Sequence, residues 1–373
     1  MKTISVKTVF FLGCILIFSC KSSKNIPVFD INKINQSIGI DLSDILKDIS
    51  VVQISTDFLL SVNDNIYVTS KYLVVYRNKF GSDASLLLFG RDGAYIRKLA
   101  EQGRGPGEFY LIGEFFVDDE EQILYYVEMF HRTHLNRIDI SSGMTLEPLQ
   151  IDLTSLELNY VDGEIYGIPT NRFTSNKGNK YTDSAIVACR ISLPSGEIKK
   201  YQGEHKYEYY LFGSSMTSYR GEVCLMNLGY SDTLFTLSNN KLSPLCVMRL
   251  SDKMTDYNKG GSGIRIISAY QNGVILLKFN MEPRPRGGIG AVWKYFALYD
   301  GKESMNKIDY IRVMNTKISL IDSDESPRTH WSLSPIPCGK YGYMMVEHDV
   351  LDAQSLNLDP DNDNPIIIVG AFK

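Results

Sequence analysis

The sequence predicts an all-β protein: a β-propeller of four-stranded antiparallel blades, six in number, with seven as the alternative. Three observations carry that expectation. Short runs rich in β-branched and aromatic residues recur along the chain, among them NIYVTS, YLVVYR, SLLLFG, QILYYVE, AIVACRIS, TLFTL and VILLKF. The segments between them, such as GRDGA, SSGM, VDGE, PSGE and YDGK, are turn chemistry, with Gly free to take positive φ. A hairpin plan then repeats: FGRDGAYIRKLA (89–100), RIDISSGMTLEPLQI (137–151) and CRISLPSGEIKKYQG (189–203) each read as strand, Asp or Ser pair, Gly, and a second strand rich in charge. The charged strand suits a blade's outer edge, whereas ILYYVE and IYGIP are continuously apolar, as strands covered on both faces must be. A period of roughly 45–60 residues over about 350 residues gives six or seven blades.

Composition agrees. Hydrophobic residues make up 44% and charged residues 22%, enough to bury a large core, and the 23 Tyr and 17 Phe favour strands over helices. A net charge of −4 leaves no electrostatic footprint for nucleic acid. No Pro-, Ser- or Gly-rich linker divides the body, so 28–373 reads as a single domain. Helix is confined to a short turn at LSDILKDI (42–49) and a weak signal at ISLIDS (318–323).

The N terminus, MKTISVKTVFFLGCILIFSCKSSKN, pairs the cations Lys2 and Lys7 with an apolar run, Val9 to Phe18, too short to span a bilayer. It reads as an export signal over 1–19, followed by an anchor and tether over 20–27. Ile17-Phe18-Ser19-Cys20 resembles a bacterial lipobox, which implies cleavage before Cys20 and acylation of its thiol, and hence a membrane partner through lipid. An ordinary signal peptide is the alternative. The residues after Cys20 are Lys21, Ser22, Ser23 and Lys24. Lipoproteins of this type sent to the cell surface carry acidic residues there, so the resemblance implies the periplasmic face.

EQGRGPGEF (101–109) looks at first like a phosphate loop. Pro106 lacks an N–H, no Gly-Lys-Ser/Thr follows, and the glycine spacing is wrong for a dinucleotide. The extended FYLIGEFFVDD that follows offers no helix N-terminus either. Gly103, Arg104, Gly105, Pro106, Gly107 and Glu108 read instead as the crossing from one blade's outer strand to the next blade's inner strand. In this reading glycine conformation is needed at Gly105, and Arg104 and Glu108 pair or bond to backbone.

LLLFGRDGAYIRKLAEQGRGPGEF strongly resembles the hallmark segment of the six-bladed β-propeller lipoprotein family of Gram-negative bacteria, distant in kind from NHL-repeat propellers. The matching positions include Phe89, Arg91, Asp92, Gly93, Gly103, Pro106 and Phe109. YSDTLFTLSNNKLSPLCVMRL (230–250) and DNDNPIIIVGAFK (361–373) resemble further segments of it, while 155–220 diverges. The resemblance implies the fold and an anchor but little chemistry.

No catalytic residue, metal or cofactor emerges. Asp359, Asp361 and Asp363 imitate a calcium loop, yet Asn364 stands where Gly is needed and Gly370 where the bidentate Glu belongs. His131 and His134 are three apart, on opposite faces of a strand, and His205, His330 and His348 are isolated. Cys189, Cys224, Cys246 and Cys338 read as buried thiols, Cys224 and Cys246 two strand spacings apart and out of disulfide reach. Arg284 and Arg286, flanked by Pro283 and Pro285, are candidate ligand residues, with Tyr207, Tyr209, Tyr210 and Trp331 as aromatic platforms. The function expected is a monomeric binding module taking a protein or glycan ligand in its central funnel. The alternative is a propeller enzyme acting on glycans, a polysaccharide lyase or glycoside hydrolase. Lastly, a ring must close, and the apolar 365–372 is expected to pair with an N-terminal strand between 28 and 60.

Overall fold

The computed structural model describes residues 26–169 except 31, 32, 35, 62, 63, 79–82, 155 and 162; 186–202 except 194; 215–219, 222–226, 233–238, 241–249, 264–269, 274–280, 293–299 and 305–319; and 336–346 except 339, with 351, 356 and 358–373. The N-terminal segment supplies β1 (Val28–Asp30), β2 (Ser37–Asp41), the single helical turn α1 (Leu42–Ile45) and β3 (Leu46–Val52). The expected turn at 42–49 is thus helical only to Ile45, capped by Asp41, whose carboxylate accepts from Ser43 N at 2.9 Å.

Six sheets follow. Blade 1 is β4 (Asn65–Val68), β5 (Tyr72–Arg77), β6 (Ser85–Gly90) and β7 (Tyr95–Glu101); blade 2 is β8 (Ile112–Asp118), β9 (Ile123–Glu128), β10 (His134–Asp139) and β11 (Thr145–Gln150). Blade 3 is β12 (Leu156–Val161), β13 (Glu164–Pro169), β14 (Ile186–Ser192) and β15 (Glu197–Gln202). Blade 4 is β16 (Ser215–Tyr219), β17 (Glu222–Met226), β18 (Thr233–Ser238) and β19 (Lys241–Arg249). Blade 5 is β20 (Ile264–Ala269), β21 (Val274–Asn280), β22 (Trp293–Tyr299) and β23 (Met305–Val313), with β24 (Thr316–Ser319) hairpinned onto β23. Residues 318–319, where the sequence carries a weak helix signal, are therefore strand, because a two-residue turn folds them back on β23. Blade 6 is β25 (Ile336–Cys338), β26 (Tyr341–Val346), β27 (Ile366–Phe372) and, as its outer strand, β3.

The ring closes as the apolar C terminus demands. β27 pairs antiparallel with β3, Ile367 opposite Val52 and Ile368 opposite Val51. Its side chains alternate between two cores: Ile367 and Val369 enter the cluster shared with blades 1–3, Ile366 and Ile368 the one shared with α1 and blade 5. A strand buried on both faces needs this unbroken apolar run. The N-terminal segment also does something unforeseen. β1 lies parallel to β19 as a fifth strand of blade 4, and β2 parallel to β23 on blade 5, so 28–52 forms a strap over three consecutive blades.

The repeated hairpins occupy equivalent places, joining the third and fourth strands of blades 1, 2 and 3. Each turns on a glycine at positive φ: Gly93 at +86°, Gly143 at +77° and Gly196 at +73°. A second repeat is visible only in three dimensions. Tyr343 on β26 accepts from Ile66 N of blade 1 at 3.4 Å, and Tyr76 on β5 accepts from Ile112 N of blade 2 at 3.3 Å. In both, a buried phenol on a second strand ties the next blade's inner strand. Cys224 and Cys246 are buried and flank β18, as the strand count requires, and neither is in a disulfide.

Candidate functional site

Four-stranded meanders sort their connections by face. The first and third turns of each blade lie at one end, and the second turn and the crossing to the next blade at the other. On the first face the connections are 69–71, 91–94, 119–122, 140–144, 162–163, 193–196, 220–221, 239–240, 270–273, 300–304 and 339–340, none above five residues. On the second they are 53–64, 78–84, 102–111, 129–133, 151–155, 170–185, 203–214, 227–232, 250–263, 281–292, 320–335 and 347–365, running to nineteen. Among the described residues the longer blade connections, 53–64 and 102–111, are on this second side. We term these the hairpin face and the loop face.

The hairpin face is stitched shut by polar contacts between neighbouring blades. Asp119 accepts from Ser70 N at 2.9 Å and Ser70 Oγ at 2.8 Å, and Ser142 O from Arg97 Nη1 at 2.7 Å. Lys340 of blade 6 reaches past blade 1 to pair with Glu120 of blade 2 at 3.0 Å. Arg91 donates to Thr69 O at 2.7 Å while lying 5.2 Å over the Tyr341 ring.

On the loop face, the crossing at 102–111 answers the phosphate question. Glu108 turns its carboxylate back to accept from Gly105 N at 2.6 Å, so the loop carries its own anion. A Cβ on Gly103 would lie 1.9 Å from that carboxylate, and Gly107 sits at φ +79°. Left-handed conformation is therefore required at Gly107. At Gly105 the constraint is the Glu108 carboxyl, 3.1 Å from where a Cβ would stand. Arg104 is exposed and makes no ion pair among the described residues.

The crossing ends at Tyr110, two residues ahead of β8, an inner strand lining the central channel. There Tyr110 and Phe130 meet edge-on with ring centroids 6.2 Å apart, 48% and 67% exposed. Two large aromatics are thus held in the open beside an inner strand, an arrangement that can stack against a flat ligand. Their backbone is fixed: Met129 N donates to Leu111 O at 2.8 Å, and Leu153 N to Arg132 O at 2.7 Å. Arg132, buried, grips Glu114 with both Nη atoms at 2.6 and 3.2 Å and donates to Leu156 O at 2.5 Å. In FHRTH the sequence draws attention to the histidines; the working residue is the arginine between them. His131 is exposed, and His134 Nδ1 contacts Thr133 Oγ1 at 2.9 Å.

The acidic 359–363 segment is also part of the scaffold. Asp359 Oδ1 accepts from Asp361 N at 3.0 Å, and Asn362 Nδ2 donates to Ile54 O at 2.9 Å. Among the described residues no group of three His, Cys, Asp or Glu gathers as a metal cluster. Burial pushes the Cys189 and Cys246 thiols up to about 12, and pushes the Tyr126 phenol to about 12 with help from Glu128.

Arg284, Arg286, Tyr207, Tyr209, Tyr210 and Trp331 lie outside the described residues, as do Cys20, His205, His330 and His348. Sequence reasoning does not find Tyr110 and Phe130. Both stand next to connections rather than in an aromatic-rich run, and their exposure is a tertiary property.

Residues 26–282 match a family model described as "Domain of unknown function (DUF4934)". Among solved structures, a Bacteroides fragilis protein described as exported shares 12% identity and a TM-score of 0.59, covering 93% of this chain and 100% of that one. A DUF4221 family member from Bacteroides vulgatus shares 12% identity and a TM-score of 0.53, with coverages of 88% and 97%. At these identities the likeness is one of fold. No curated protein matches the chain.

Proposed function

The chain belongs to the DUF4934 family, and from that premise we propose that it is an exported, lipid-anchored β-propeller that binds a protein or glycan ligand at its loop face, without catalysing a reaction. One observation carries the reading: the crossings 53–64 and 102–111 lie on the same face, and the exposed Tyr110–Phe130 pair stands there beside the inner strand β8. Loops that vary in length on a stitched scaffold are where recognition concentrates. Fixing the aromatics before binding lowers the ordering cost of taking a ligand.

Export rests on the segment Lys2 to Ser19, and anchoring on Cys20 as the acylated residue. The similar B. fragilis protein described as exported points the same way. No helix among the described residues is long and apolar enough to cross a membrane. With Lys21 and Lys24 following the anchor, the periplasmic face is the assigned location, and the protein acts as a monomer.

The test has two arms. Radiolabelled palmitate should be incorporated by the wild type and not by Cys20→Ala. Glycan-array binding and envelope crosslinking should give defined signals that the double variant Tyr110→Ser/Phe130→Ser loses. Equal signals from wild type and double variant would overturn the assignment of the loop face.

A further inference from the structure

A second recess lies away from the channel mouth, in the seam where ring closure brings the 53–64 crossing against blade 1. It encloses about 390 Å³, at the lower end of small-molecule sites. Its wall is built from three adjacent strands: Arg77, Ser85 and Glu101 are cross-strand partners on β5, β6 and β7 and so project to one side. Phe58, on the crossing, forms the opposite wall and packs on Tyr95 with centroids 4.6 Å apart.

Two features of this recess lack a structural explanation. Arg77 lies 5.7 Å over the Phe58 ring, yet its Nε is buried with no hydrogen-bond partner among the described residues. A buried donor left unmade costs about 1–3 kcal/mol, which a folded protein ordinarily avoids. Asp83, on the rim, is held at φ +78°, a conformation a non-glycine residue adopts at a cost.

We infer that this seam is a binding site for one or two units of a neutral saccharide, separate from the channel mouth and independent of what binds there. The lining offers donors from Arg77 and Lys98 and acceptors from Asp83 and Glu101, with formal charges that cancel. Hydroxyl groups, each both donor and acceptor, satisfy such a mixed wall where a simple anion or cation would satisfy half of it. Tyr95, 40% exposed, supplies the aromatic surface on which sugar C–H faces stack. Arg77 lines the recess, so its guanidinium is placed to donate to a ligand hydroxyl. Lys98 and Glu101 already pair with each other at the exposed edge, ready to exchange that contact for ligand hydroxyls.

Saturation-transfer NMR on the full mature chain tests this with cellobiose, maltose and lactose as probes, and with glucuronate and inorganic phosphate as anion controls. At least one neutral disaccharide should bind with a millimolar or tighter dissociation constant, about −4 kcal/mol or better. Arg77→Gln should weaken that binding at least about tenfold, or ~1.4 kcal/mol. Glu101→Gln, at an exposed position that does not threaten folding, should weaken it measurably. Silence from all three disaccharides overturns the inference. So does binding of glucuronate or phosphate alone, or disaccharide binding that Glu101→Gln leaves intact.

Discussion

Asn364 Oδ1 accepts a hydrogen bond from Leu60 N at 2.7 Å, joining residues 304 positions apart. The same amide donates from Nδ2 to Phe58 O at 2.8 Å and Ile54 O at 3.3 Å, so one fully buried side chain satisfies the backbone of the crossing that links blade 6 to blade 1. Asn364→Leu would keep the volume and strand several buried backbone groups. We expect a loss of about 2–4 kcal/mol in urea denaturation. Calcium should leave the melting temperature of the wild type unchanged, since the carboxylates and amides of 359–364 already hold one another and the crossing. A calcium-dependent rise would restore the metal reading.

Truncation after Asn364 removes β27 and uncovers an edge of both β26 and β3. The product should fail to melt cooperatively and should elute as aggregate in size-exclusion chromatography. A monomer that melts like the full chain would mean that β27 is dispensable to the ring.

Gly103 and Glu108 should be energetically coupled. Gly103→Ala drives a methyl into the Glu108 carboxylate and should cost about 1–3 kcal/mol, as overpacking does. In a Gly103→Ala/Glu108→Ala double variant part of that cost disappears, because the clashing group is gone, giving non-additivity of at least about 0.5 kcal/mol. Gly107→Ala should cost about 1–2 kcal/mol whatever stands at 108, because its penalty is the positive φ. Thermal melts of the wild type, Gly103→Ala, Glu108→Ala and their double variant, with Gly107→Ala alone and combined with Glu108→Ala, separate the two causes.

Alkaline pH should weaken the fold. The Cys189 and Cys246 thiols and the Tyr126 phenol are raised by burial to about 12, above their unfolded values near 8.5 and 10. Between those values and 12 the unfolded chain binds fewer protons than the native one, so stability is full below about pH 8 and falls as pH rises. Denaturant midpoints at pH 7, 9 and 10.5 should decline in that order. At pH 8 a thiol reagent should leave Cys189, Cys224 and Cys246 unmodified until denaturant is added.

What the sequence made legible is local. The hairpins at 89–100, 137–151 and 189–203 announce themselves because a positive-φ glycine and its flanking strands lie within a dozen residues. Ring closure was legible for a different reason: Ile366 to Val369 has no polar alternation, and only a strand covered on both faces tolerates that. The pairing of β1 with β19 was not legible, because three residues meet a partner more than 200 positions away and carry no pattern of their own. Arg132 escaped notice for the same reason: its acceptors at Glu114, Leu153 and Leu156 come together only in the fold. The loop face was half visible. The aromatics Tyr110 and Phe130 carry no pattern in the sequence, and their shared exposure follows from the strand order alone.

The strap over blades 4 to 6 gives the molecule a mechanical fuse. Tension applied upstream of Val28 falls first on the three-residue pairing of β1, then on the five residues of β2, and only afterwards on β3 and the closure. Peeling both outer strands would release the chain from 28 to 45, up to roughly 60 Å of slack, while the six blades stay joined. A propeller pulled through such a strap would yield at its outer strands before its blades are prised apart.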